Sequence, residues 1–191
     1  MIKRNKQIIL AAVFLALLLV LSRFLSVKTP LVKISFAFVP TMLCAVYLGW
    51  KWTLVVNVLG DLIGAILFPT GAFFIGYTIT TAVAALIYGL LLYKKTPQAI
   101  PEWKFALKTT LATVLVAVGA NMFLNTFWLK ITTGQAFWVL LGTRIVKQLT
   151  MIPIHIIVIL ALERALRKPA MRYLYDLPEE EADDSGKPAN T

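Results

Sequence analysis

Six apolar runs, each bounded by a charged residue or a Pro/Gly joint, occupy 7–25, 34–49, 52–67, 73–93, 106–129 and 136–165. Nothing else in the sequence constrains the fold as strongly. A helix that crosses a bilayer needs about 20 predominantly apolar residues, and its backbone polar groups must be satisfied within the segment. The runs therefore predict an all-α membrane protein, a bundle of six transmembrane helices with short connectors and residues 1–175 as one membrane domain. The joint between the second and third runs, little more than Gly49-Trp50-Lys51, is the least sharply marked. Composition agrees, since 59% of the side chains are hydrophobic against about 45–50% in an ordinary globular domain.

Lys and Arg set the orientation, because cytoplasmic flanks carry the excess. With the N-terminus inside, the inner flanks collect Lys3, Arg4, Lys6, Lys51, Lys94, Lys95, Lys104, Lys108, Arg164, Arg167, Lys168 and Arg172. The outer side holds only Arg23, Lys28, Lys33 and Lys130, with Arg144 and Lys147 inside the last run. Six crossings then place both termini in the cytoplasm and make 26–33, 68–72 and 130–135 external loops. The apolar stretch 8–21 is followed by no small-x-small cleavage site, so it reads as a retained first helix. Residues 176–191 are acidic and, beyond Leu177, offer almost nothing apolar to bury, which predicts a disordered cytoplasmic tail. The formal charge of +10 does not point to nucleic acid, because the basic residues sit at helix ends and not on one face.

A polar side chain at bilayer depth is costly, so each is expected to face the bundle interior or a wet cavity. Asp61 lies about 9 Å below the outer end of the third run, with Asn57 one turn deeper. Asn121 and Asn125 repeat the i, i+4 spacing in the fifth run, Arg144, Lys147 and Gln148 lie in the sixth, and Arg23 is near the outer end of the first. The stretches 8–21, 82–92 and 111–119 are almost wholly apolar. With no continuous polar path, a channel is disfavoured and an outward-facing pocket with a closed floor is expected. Phe73, Phe74, Tyr77, Phe123, Phe127, Trp128, Phe137 and Trp138 collect at the outer ends of the last three runs, where aromatics stack on a flat ligand or form an interfacial belt.

Structural readings stand beside these. Asp61 can neutralise Arg144 or Lys147 as an ion pair, the asparagines can join helices, and Arg23 can snorkel to the headgroups. His155, two residues after Pro153, reads as a satisfied structural histidine ahead of a ligand contact or a proton relay. There is no G-x-x-x-x-G-K-[ST] phosphate loop. One His, one Cys and one acid at depth assemble neither a metal site nor a Ser/His/Asp triad. No catalytic residue, metal site or cofactor is therefore expected.

Ala12 and Ala16 form a flat strip on the first run, of the kind against which another helix approaches closely, whether within the bundle or on a partner. This A-x-x-x-A, the six runs, the inside N-terminus, the basic first outer loop and the outer-half pocket together resemble the substrate-binding S components of energy-coupling factor (ECF) vitamin transporters, over about residues 7–168. The stretches Arg23-Phe-Leu-Ser-Val-Lys-Thr-Pro, Leu48-Gly-Trp-Lys-Trp, Val58-Leu-Gly-Asp61-Leu-Ile-Gly and Phe68-Pro-Thr-Gly are similar to the folate-type members.

The resemblance implies a high-affinity substrate-binding subunit of an ATP-driven importer in a prokaryotic plasma membrane. Its partners would be a membrane coupling subunit, which Ala12 and Ala16 would contact, and two cytoplasmic ATPase subunits. The whole subunit would turn over in the bilayer to deliver its ligand. The substrate-binding candidates are Arg23, Lys28, Asn57, Asp61, Phe73, Phe74, Tyr77, Asn121, Trp128, Arg144 and Gln148. Asp61 and Asn57 would accept from the N–H groups of a pterin covered by the aromatics. Arg23, Lys28 and Lys33, or Arg144 and Lys147, would receive the glutamate carboxylates, Arg being suited to bidentate contact. Another vitamin, such as pantothenate or riboflavin, and a ligand-free membrane scaffold are the alternatives.

Overall fold

The computed structural model describes residues 4–24, 26–28, 33–68, 74–93, 102–134 and 136–175. The order is α1 (Arg4–Arg23), β1 (Ser26–Lys28), β2 (Lys33–Ser35), α2 (Phe38–Leu48), α3 (Trp50–Leu67) and α4 (Ile75–Leu92), followed by α5 (Glu102–Leu115), a π-helical stretch (Val116–Leu124), α6 (Asn125–Thr133) and α7 (Phe137–Tyr175). Among the described residues five segments are long and apolar enough to cross a membrane: Arg4–Arg23, Trp50–Leu67, Ile75–Leu92, Trp103–Thr133 and Phe137–Leu166. The protein is thus an α-helical, multi-pass membrane protein.

Helix α1 shows how such a segment divides its faces. Ala11, Phe14 and Leu18, three and four residues apart, are buried against the bundle, whereas Ile8, Ile9, Val13, Leu17 and Val20 are exposed. Ala12 and Ala16 lie on the exposed side.

The run expected at 34–49 departs from a single membrane span. Its first residues pair with 26–28 in an antiparallel hairpin, Ser26 opposite Ser35 and Lys28 opposite Lys33. Only 11 residues remain helical, about 16 Å at 1.5 Å per residue. Every residue from Pro40 to Leu48 is buried, as expected of a helix that is hydrophobic all round. It packs against α1, α3, α4 and α7 and forms the centre of the bundle. A single residue, Gly49, joins it to α3 with φ +78°. An L side chain rarely adopts that conformation, and a Cβ there would meet the Tyr93 ring at 3.0 Å.

The fifth run is helical throughout but not uniform. Within it the Asn125 N–H bonds to the Ala120 carbonyl five residues back, the wider π turn. Helix α7 is 39 residues long with Pro153 and Pro169 inside it, and it continues past the boundary expected at 165. Near its end, Lys6 Nζ donates to the Tyr173 carbonyl at 2.8 Å and stands 5.3 Å from the Tyr173 ring centroid. The start of α1 and the end of α7 therefore lie side by side. The acidic stretch 176–191 falls outside the described residues.

Candidate functional site

A cavity of about 250 Å³ lies where the polar side chains of these helices converge. Its wall takes Ser22 and Arg23 from α1, Phe38 and Thr41 from α2, Asn57 and Asp61 from α3, and Thr80, Thr81 and Tyr88 from α4. The π stretch supplies Val116 and Asn121, α6 supplies Asn125, and α7 supplies His155.

Buried polar groups need partners, and here Asn57 and Asp61 find them across helix boundaries. Thr41 Oγ1 donates to Asn57 Oδ1 at 2.7 Å, joining α2 to α3, while Asn57 Nδ2 donates to the Thr53 carbonyl at 2.8 Å. Thr78 Oγ1 donates to Asp61 Oδ2 at 2.7 Å, joining α4 to α3. Among the described residues the second Asp61 oxygen forms no hydrogen bond, which leaves it as an acceptor for a ligand N–H. Arg23 crosses over Gly64, where a Cβ would lie 2.5 Å from Nη2, and its Nη1 donates to the Phe68 carbonyl at 3.3 Å. Glycine at 64 therefore makes room for the guanidinium beside the cavity. Asn125 Nδ2 donates to Asn121 Oδ1 at 3.2 Å.

Of the residues singled out from the sequence, Arg23, Asn57, Asp61 and Asn121 lie together on the wall. Arg144 is adjacent, not lining: its Nη1 donates to the Asn121 carbonyl at 3.0 Å. It supports the π stretch and does not form the ion pair with Asp61 that the sequence allowed. Gln148 is buried but off the wall. Phe74, Tyr77 and Trp128 are gathered into a separate cluster, with ring centroids 5.9 Å apart for Phe74 and Tyr77 and 5.7 Å for Phe74 and Trp128. Phe73 lies outside the described residues, as does the side chain of Lys28. The flat surfaces that do line the cavity are Phe38, Tyr88 and His155. Sequence reasoning did not single out Phe38, Tyr88 or the threonines, and for His155 it favoured a structural role over a ligand contact or proton relay. The one signal for the threonines was Thr41 and Thr80-Thr81 in otherwise apolar runs.

The sequence profile of the family described as "ECF transporter, substrate-specific component" matches residues 6–163. The chain belongs to this family. It resembles the folate-type members: it is 38% identical over 158 residues to the folate transporter FolT of Clostridium novyi (strain NT), covering 82% of this chain and 87% of that relative. It is 36% identical over 157 residues to the folate transporter FolT of Leuconostoc mesenteroides subsp. mesenteroides, covering 80% and 81%. Among solved structures it is similar to one described as a crystal structure of FolT bound with folic acid, with a TM-score of 0.73 and 32% identity over 82% of this chain and 92% of that one. The S-component resemblance read from the A-x-x-x-A strip and the pocket residues is thereby established. Components of this family serve transport.

Proposed function

We propose that this S component captures folate in an outward-facing pocket and passes it inward with a membrane coupling subunit and two cytoplasmic ATPase subunits, which hydrolyse the ATP. The observation that carries the reading is the polar cavity around Asp61 and Arg23, in a fold that matches a folic acid-bound relative over most of both chains. Folate has an amide-like pterin edge at one end and two carboxylates at the other. The free Asp61 oxygen accepts from the pterin N–H groups, Asn57 and Thr41 complete the polar wall, and Arg23 meets a carboxylate. A cavity of about 250 Å³ is below the roughly 300–1,000 Å³ of pockets that enclose a whole drug-sized ligand, so it holds the ring end while the glutamate points to the mouth.

The same reading takes α2 with its hairpin as the second of six spans, with both termini in the cytoplasm. The side-by-side ends of α1 and α7 and the Lys/Arg asymmetry support it. The plasma membrane of a prokaryote is the location, residues 1–175 form the membrane domain, and 176–191 form a cytoplasmic tail. The exposed Ala12 and Ala16 meet the coupling subunit.

Calorimetric titration tests the pocket. A hydrogen bond to a charged group is worth about 1.5–3 kcal/mol, so Asp61→Asn is expected to weaken folate roughly ten- to a hundred-fold. Arg23→Ala is expected to weaken folate more than a pterin lacking the glutamate. Equal losses for both ligands at Arg23 would refute its assignment to the carboxylate, and an unchanged Asp61→Asn would refute the pterin contact.

A further inference from the structure

Most polar groups on the cavity wall are already engaged. Asn57 bonds with Thr41 and Thr53, one Asp61 oxygen takes the Thr78 hydroxyl, and Asn125 donates to Asn121. Thr80 and Thr81 donate back one turn, to the carbonyls of Gly76 and Tyr77. His155 is different. Its ring stacks on Phe38 with centroids 3.8 Å apart and 27° between the planes. Among the described residues neither ring nitrogen forms a hydrogen bond, and neither is fully buried, on a residue that lines the cavity.

The stack decides which part of the imidazole a ligand can reach. One face is covered by Phe38, the first residue of α2, so the ring plane is held while the edge that carries both nitrogens is neither stacked nor fully buried. A neutral imidazole presents one donor and one acceptor along that edge. An N-heteroaromatic ring, whose own edge carries both ring nitrogens and N–H groups, matches such a pair. A carboxylate is better served by the guanidinium of Arg23 on the same wall. Tyr88 and Val116, which share the cavity, supply the apolar surface that a flat ring also needs.

We propose that His155 contacts the ligand directly, hydrogen-bonding its heteroaromatic ring end, with Phe38 as the residue that positions the imidazole. This inference rests on the folate reading above and adds α7 to the recognition surface. A histidine whose only task is packing leaves its nitrogens irrelevant to affinity.

The test is titration of the whole detergent-purified protein, wild type, His155→Phe and His155→Gln, with folate and with a pterin lacking the glutamate, beside melting of the ligand-free proteins. His155→Phe keeps a ring on Phe38 and removes both nitrogens. It is expected to bind both ligands roughly threefold to tenfold more weakly with melting unchanged. His155→Gln keeps a polar tip without the ring and is expected to bind better than the Phe variant. The opposite order, with His155→Phe binding like wild type, overturns the inference and makes the residue packing. A loss confined to folate would move His155 to the glutamate end and overturn the ring assignment. Wild-type protein that binds neither ligand overturns the folate reading and this inference together, whereas wild-type binding with a silent His155→Phe overturns this inference alone.

Discussion

Helix α2 runs 11 residues with every one from Pro40 to Leu48 buried, whereas α7 runs 39 residues and leaves Val146, Leu149 and Ile157 largely exposed. Their central sequences are about equally apolar, so apolarity does not say whether a side chain meets protein or lipid. The difference lies in the neighbours. Around α2 the neighbours are fixed side chains of four other helices, close-packed and intolerant of lost volume. Around the outer face of α7 they are lipid tails, as apolar as leucine and free to refill a gap.

The sharpest break of this contrast is a matched pair of truncations. Met42→Ala in α2, at 0% exposure, is expected to cost about 2–5 kcal/mol and to lower the melting temperature of the detergent-purified protein clearly. Ile157→Ala in α7, at 67% exposure, is expected to leave it nearly unchanged. Comparable losses at the two sites would erase the distinction. Gly49→Ala is expected to come next, at about 1–3 kcal/mol for a strained backbone, because the joint beside α2 requires φ +78°. Removing the neighbouring ring with Tyr93→Ala should not rescue it; full rescue would mean that the ring contact, not the backbone, was limiting.

The smallest effect on the isolated protein belongs to the exposed strip of α1. Ala12→Leu with Ala16→Leu is expected to leave melting and folate binding unchanged while abolishing uptake and co-purification of partner subunits, since added bulk separates backbones that must approach closely. Loss of binding in step with uptake would instead place the strip in internal packing.

How far the sequence could be read follows from the same contrast. Asp61, Asn57, Arg23 and Asn121 were legible because a polar group in an apolar run must face inward, and all four line the cavity. Helix α4 and the end of α3 were legible because Pro69 and Lys94 bound them, whereas the joint at Gly49-Trp50-Lys51 was the least sharply marked. The shortness of α2 was not, since three-residue strands such as Ser26–Lys28 and Lys33–Ser35 carry too little alternation to announce a hairpin. Nor was the facing of Phe74, Tyr77 and Trp128: where nearly every position is apolar, periodicity gives no direction, and these rings turned toward one another. Threonines escaped notice because a hydroxyl bonded one turn back, as in Thr80 and Thr81, is tolerated at any face. The π stretch has no sequence mark, although Asn121 and Asn125, named for their polarity, lie in it and just beyond it.

The hydrogen bond between Lys6 and Tyr173 spans 167 positions of the chain, and that separation orders events during synthesis. Chains emerge N-terminus first at about 5–20 residues per second, so the roughly 80 residues between the end of α4 and Tyr173 take on the order of 4–16 seconds at that rate. At the start of that interval the ribosome holds a four-helix partial bundle in which α2 has no α7 neighbour and the Tyr173 carbonyl has not yet been made. The cavity at this stage has no Val116, Asn121, Asn125 or His155 to close it. A nascent chain cut short before Tyr173 is thus an open seam and not a smaller copy of the same bundle, and the cavity wall is among the last features the growing chain completes.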